Sequence, residues 1–324
     1  MNDHKPSESA QLSPEEHLLT HDLKAVIDRG EDMRVAFMKE HRGRSFVAMT
    51  LSLLIITAGG AAFGWFLLVQ GDMLRALGFM ILALAPPAFL YVWANGPIKE
   101  YKHQYKASFL ADLAKAMGNF KYYPTRGIAS NILSKTGIVP AHGHYSAEDC
   151  FMGTHSNAKI ILSEARLKRQ ESDKAYIFDG IFALVELAQP SFEGHTIVTA
   201  DAALAQRMTK LSPIPLTGTG YEGTLSCFSN NAANAPRFQD KSLLKEVSEL
   251  VSVFEDAPLS AAFFRKKYIF IAIPHQADMF EPSTINVPIT TTNTALRCKQ
   301  EIEQILSIID LMDVYQEDEA QETS

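Results

Sequence analysis

Several features by which soluble domains often reveal their chemistry are missing from this sequence. Its three cysteines, Cys150, Cys227 and Cys298, are widely spaced and form no C-x-x-C pair, so neither a disulfide framework nor a zinc ribbon is indicated. They read as reduced, which fits a cytoplasmic domain. There is no P-loop, G-x-S-x-G elbow, H-E-x-x-H helix or kinase signature, and no cofactor is called for. Positive charge is scarce too: the net charge is -7, and Asp310, Asp313, Glu317, Asp318, Glu319 and Glu322 crowd the C-terminus without a Lys or Arg among them. Recognition of a phosphate backbone needs a basic stripe, so nucleic acid is not an expected partner. The one compact basic cluster, Arg166, Lys168 and Arg169, alternates with apolar residues like the wet side of a strand.

Charge is also absent from two long apolar segments, residues 46–70 and 76–95. At a 1.5 Å rise the first extends about 37 Å, enough for a hydrocarbon core of about 30 Å. The short link from Gly71 to Arg75 requires an antiparallel hairpin. A cleavable signal peptide does not fit an apolar run that begins at Phe46 and is followed at once by a second. Arg34, Lys39, Arg42 and Arg44 precede the hairpin and Lys99, Lys102 and Lys106 follow it, whereas the link holds only Arg75. The positive-inside rule then predicts two spans with both termini in the cytoplasm.

Inside the hairpin, Gly60 and Gly64, flanked by Ala58 and Ala62, offer a face for close helix packing. The second span would occupy that face, or a second copy of the chain in a homo-oligomer. Pro86 and Pro87 should kink the second helix. An oligomeric channel or transporter component could use these features, but neither span holds the ionisable residue that usually marks a transport path.

Residues 1–12 are polar and read as disordered, and 316–324 as an acidic disordered tail. Ser13, Pro14 and Glu16 open an amphipathic helix over 13–45, with Leu18, Leu19, Leu23, Val26 and Ile27 at helical spacing. After the spans of 46–95, Tyr101, Tyr105, Phe109, Leu113, Met117 and Phe120 form a second helical stripe. From Tyr145 onward short β-prone runs take over, at 158–167, 175–187 and 196–199, with a hairpin at 261–273 turning around Arg265 to Lys267. Helical stripes return at 241–254 and 294–315. The expected fold of 96–315 is therefore α+β, a mixed antiparallel sheet with helices and no βαβ alternation.

Candidate chemistry gathers between His142 and His155. His142, His144, Cys150 and His155 occupy what reads as a loop, but their spacing matches no metal motif, and metal is not expected. Glu148 and Asp149 are neighbours, better suited to a turn or strand edge than to convergent acid–base work. With Tyr145 these residues are the candidates for ligand or partner contact. The glycine-containing stretch 217–223 resembles a phosphate cradle but lacks the following Lys and Ser/Thr, and reads as a hairpin loop.

Tyr145 to Asp149 with Gly153, Phe178 to Phe182, Gly194 to Val198 with Asp201, and Phe280 to Pro282 together resemble the bacterial membrane-protein family known as domain of unknown function 3137. Cys150 stands where that family tends to carry an aromatic. The resemblance implies a helical hairpin in a bacterial inner membrane, an α+β cytoplasmic domain, no agreed enzymatic activity and the company of LemA-type membrane proteins. A protein-interaction or scaffolding module is the expected function. The alternative is a membrane-tethered enzyme or small-ligand sensor built on the His142 to His155 segment.

Overall fold

The computed structural model of the protein describes residues 14–255, 257–275, 280–289 and 302–310. Contacts divide it into two units: the described residues of one are 20–109 and 281–289, and those of the other are 14–19, 110–255, 257–275, 280 and 302–310.

The first unit is helical. With no proline between Glu15 and Leu68 to stop it, α1 (Pro14–Leu68) joins the expected N-terminal helix and the first apolar segment into one helix of 55 residues. The capping residue Ser13 lies outside the described residues, as do 1–12. Gly71 turns the chain with φ 64°, and Asp72 caps α2 (Met73–Ala94) by accepting the N–H of Arg75 at 3.0 Å. Pro86 and Pro87 lie inside α2, which stays helical through both. The two helices are long and apolar enough to cross a membrane.

The seam between α1 and α2 runs through Gly59, where an added Cβ would stand 2.2 Å from that of Ala83. Phe66 stacks on Phe79 farther along, with centroids 5.0 Å apart. Each residue turns an α-helix by about 100°, so the neighbouring Gly60 points elsewhere; a Cβ on Gly60 or Gly64 would meet open space. Beyond Asn95 follow α3 (Gly96–Gln104) and a π-turn (Tyr105–Phe109). A stripe spaced by four residues overshoots a 3.6-residue turn by about 40° at each step, and the wider π-turn returns Tyr105 and Phe109 to the buried side. Residues 281–289 are fastened to these helices. Arg34 pairs with Glu31 and donates to the Ile285 carbonyl, Glu31 accepts the Ile289 N–H, and Glu281 pairs with Lys102 and Lys106.

The second unit begins with α4 (Leu110–Ala116) and is built on one antiparallel sheet. Its strands among the described residues are β1 (Phe120–Tyr123), β2 (His144–His155), β3 (Ala158–Lys168), β4 (Phe178–Glu186), β5 (His195–Thr199), β6 (Ser212–Ile214), β7 (Ser226–Ser229), β8 (Ser260–Phe264) and β9 (Tyr268–Pro274). The order across the sheet is β1-β2-β3-β4-β9-β8-β5-β7-β6. The α+β expectation is met, and the 261–273 hairpin is β8–β9, with Arg265 and Lys266 at its turn in left-handed conformations.

Alternation sends side chains to two faces. On one, Leu167, Phe182, Leu184, Phe270, Phe264 and Ile197 join Ile128 and Ile138 and the buried Leu133 of α5 (Ser130–Thr136) in a single core cluster. Phe263 points the other way and meets the ring of Phe238, from α7 (Ala235–Phe238), edge to face at 4.8 Å. The long helix α8 (Lys241–Val253) buries Leu243, Leu244, Val247 and Leu250, the stripe read from its sequence. Of the last expected helix, residues 302–310 are described; they form α9 and bury Ile302, Ile305 and Ile309.

Candidate functional site

The segment from His144 to His155, expected as a loop, is the longest strand of the sheet, β2. Its polar residues occupy ladder positions opposite β3, with His144 facing Lys168 and Glu148 facing Glu164. The register slips between Glu148 and Phe151, a β-bulge that inserts Asp149 with φ 49°. The bulge buries Asp149 completely, where it accepts a hydrogen bond from the Tyr122 hydroxyl. Burial, and then the Asp149 carboxylate, hold the Tyr122 phenol well above its usual range, so it remains a neutral donor.

Glu148 lies in a network centred on Arg166. The guanidinium binds Glu148 and Asp179, the latter at 3.2 Å, and approaches Glu164 at 3.9 Å. Glu164 is nearly buried and accepts the Phe280 N–H. The other candidates have separate partners. His142 donates through Nδ1 to the Pro140 carbonyl at 2.9 Å and meets Tyr145 edge-on. Tyr145 packs on Phe182, and His155 bonds the Asp310 carboxylate of α9 at 2.7 Å. The structure thus brings Glu148 together with Arg166, Glu164 and Asp179, and sets the histidines on other contacts. Among the described residues no group of three or more His, Cys, Asp and Glu could hold a metal ion.

The glycine stretch 217–223 lies between the paired strands β6 and β7, as a hairpin loop should. Gly218, Gly220 and Gly223 all have positive φ. The carboxylate of Glu222 accepts the N–H groups of Gly218 and Gly220, so the chain fills its own phosphate-like cradle.

A cleft of about 1140 Å³ opens on the core-cluster face of the sheet. Its floor is Phe178 and Phe182 of β4, Ala272 and Pro274 of β9 and Ser260 of β8. Residues 137–141 make one wall, starting at Gly137, which ends α5 in the left-handed conformation (φ 75°). That wall is fixed by the His142 bond to Pro140 and by His195 Nε2, 2.9 Å from the Thr136 carbonyl. Another wall is α6 (Ala202–Ala205) with the following Arg207 and Met208; Asp201 caps α6 by accepting the N–H groups of Ala203 and Leu204. Tyr176 and Arg169 stand at the rim, and both are exposed. A smaller groove of about 380 Å³ lies across Lys121, Tyr123, Met152, Lys159 and Ile161.

With that geometry in view, the family comparison can be placed. Residues 176–314 match the family described as Protein of unknown function (DUF3137). The resemblance seen in Phe178 to Phe182, Gly194 to Asp201 and Phe280 to Pro282 is thereby shown, whereas Tyr145 to Gly153 precedes the matched region. The DUF3137 region supplies the floor of the cleft, Tyr176 and the α6 wall; Arg169 and the 137–141 wall precede it. No curated protein matches the chain.

The cleft is not legible in the sequence because its lining comes from segments far apart in the chain. One signal was available: Arg169 ends the basic cluster just after β3, where strand alternation no longer applies.

Proposed function

We propose that the protein is a membrane-anchored recognition module, held in a bilayer by α1 and α2 and engaging another molecule through the cleft of its sheet unit. The anchor is supported by where apolar surface remains uncovered. Every exposed large hydrophobic side chain among the described residues lies between Val35 and Trp93, with the single exception of Tyr176. Such a band is costly in water and stabilising in lipid. Basic residues on both flanks of the hairpin support an orientation with both termini cytoplasmic, and the family resemblance supports a bacterial inner membrane.

The observation that carries the recognition role is Tyr176 itself, among the described residues the one exposed large hydrophobic outside the helical band, standing at the rim of this cleft. Amphipathic aromatics in such positions are typical contact residues. Scaffolding of a membrane partner, for which the family resemblance suggests a LemA-type protein, is one use of this surface. The small-ligand sensor is the second, and the cleft favours it at a place other than the His142 to His155 segment.

Two measurements test the proposal. Alkaline carbonate washing of membranes should leave the protein in the pellet, and its release would refute the anchor. A photo-crosslinking amino acid at position 176 in native membranes should give a discrete protein or lipid adduct, absent from the same substitution at Lys245 on exposed α8 surface. Equal labelling at both positions, or none at 176, would refute the recognition role.

A further inference from the structure

The cleft's charges are unevenly committed. Asp179 is engaged by Arg166, and the Asp201 carboxylate accepts the first free N–H groups of α6. Arg207 uses Nε on the Ala203 carbonyl at 3.1 Å, and neither Arg207 nor Arg169 has an ion pair among the described residues. The mouth therefore offers two guanidinium groups to a ligand while its acids are occupied at home. Between them the half-buried Val139, Ile177 and Met208 present apolar surface beside polar lining, with Ile138, Phe182 and Leu204 buried behind. Methionine and aromatic surfaces adapt to flexible apolar ligands. The volume of about 1140 Å³ exceeds the roughly 300–1,000 Å³ of pockets that enclose one compact drug-sized molecule.

We infer that the cleft binds an anionic amphiphile: an acyl or comparable long apolar chain lying along Val139, Ile177 and Met208, with a carboxylate or phosphate head held by Arg169 and Arg207. This rests on the cleft being the recognition site. Guanidinium groups bind both head chemistries with two parallel hydrogen bonds, so the arginines select charge and the apolar surface selects chain.

The test uses the full chain in nanodiscs of neutral lipid, with a diazirine-bearing palmitate, the matching alkyl phosphate and the uncharged fatty alcohol as probes. Labelled peptides are mapped by mass spectrometry. Palmitate or the alkyl phosphate should label peptides containing Ile177 or Met208, and whichever labels more identifies the head group. Arg169→Ala and Arg207→Ala should each lower that labelling about tenfold, as expected for a lost charge-assisted hydrogen bond, with labelling of α1 and α2 unchanged as the internal control of folding and insertion. Equal cleft labelling by the alcohol, or undiminished labelling when Arg169→Ala and Arg207→Ala are combined, would overturn the anionic ligand while leaving the cleft as a recognition site. Labelling confined to α1 and α2, together with no adduct from position 176, would overturn both.

Discussion

Arg166→Met is the sharpest probe of the sheet unit, because it removes a cation that Glu148, Glu164 and Asp179 share. Removing one partner of a fully buried ion pair costs about 3–5 kcal/mol, chiefly because the remaining charge is left in a poorly solvated site. Here exposure moderates the cost: Glu148 is 39 % exposed, Asp179 28 % and Arg166 26 %, so water can serve the first two acids once the guanidinium is gone. Glu164, at 7 %, is less open to water, though it keeps contacts such as the Phe280 N–H. The expected loss is therefore below the buried-pair range, about 2–3 kcal/mol, equivalent to a fall in Tm of about 5–10 °C for a unit of this size. Thermal unfolding of parent and variant in one detergent, at one scan rate, reads it. Adding Glu164→Gln should restore part of the loss. A Tm within about 2 °C of the parent would show that Arg166 does not hold this cluster together.

Three further outcomes follow from the packing. Gly180→Ala should destabilise the sheet unit by about 2–3 kcal/mol, since its Cβ would lie 2.1 Å from the Ile273 carbonyl oxygen of the paired strand β9 and 2.6 Å from the backbone nitrogen of His275 just beyond it; denaturant unfolding measures it. Burial pushes the Cys150 thiol up to about 11 and Cys227 up to about 12, so both should resist maleimide at pH 7.5 in the folded protein and react once it is unfolded, as followed by mass shift. Burial also holds His195 below its ordinary value. The unfolded chain therefore takes up a proton near pH 6.5 before the folded one does, and stability is full above that pH and falls as pH drops toward the lowered folded value. His195→Gln should flatten the pH dependence of Tm across that window.

The sequence alone was enough for the features that depend on local pattern. Uncharged runs at 46–70 and 76–95 make long apolar helices whatever lies around them, and the stripe Leu243, Leu244, Val247, Leu250 specifies α8 through a period that needs no partner to be seen. Antiparallel hairpins such as β8–β9 are legible for the same reason, because strand, turn and strand are contiguous. Helix phase is a nearer miss: Gly59 and Gly60 are adjacent, and only the helix pairing decides that the first meets Ala83 while the second faces open space. The role of Glu148 and Asp149 was settled beyond the reach of sequence, by a bulge in β2 and by Arg166 and Tyr122 arriving from other strands. The cleft is the fullest case. Gly137, Arg169, Tyr176, Arg207 and Pro274 have no common spacing, and they share a surface because sheet order carries β9 and β8 between β4 and β5. Local composition governs which elements form; long-range strand pairing alone governs which side chains become neighbours, and recognition belongs to the neighbours.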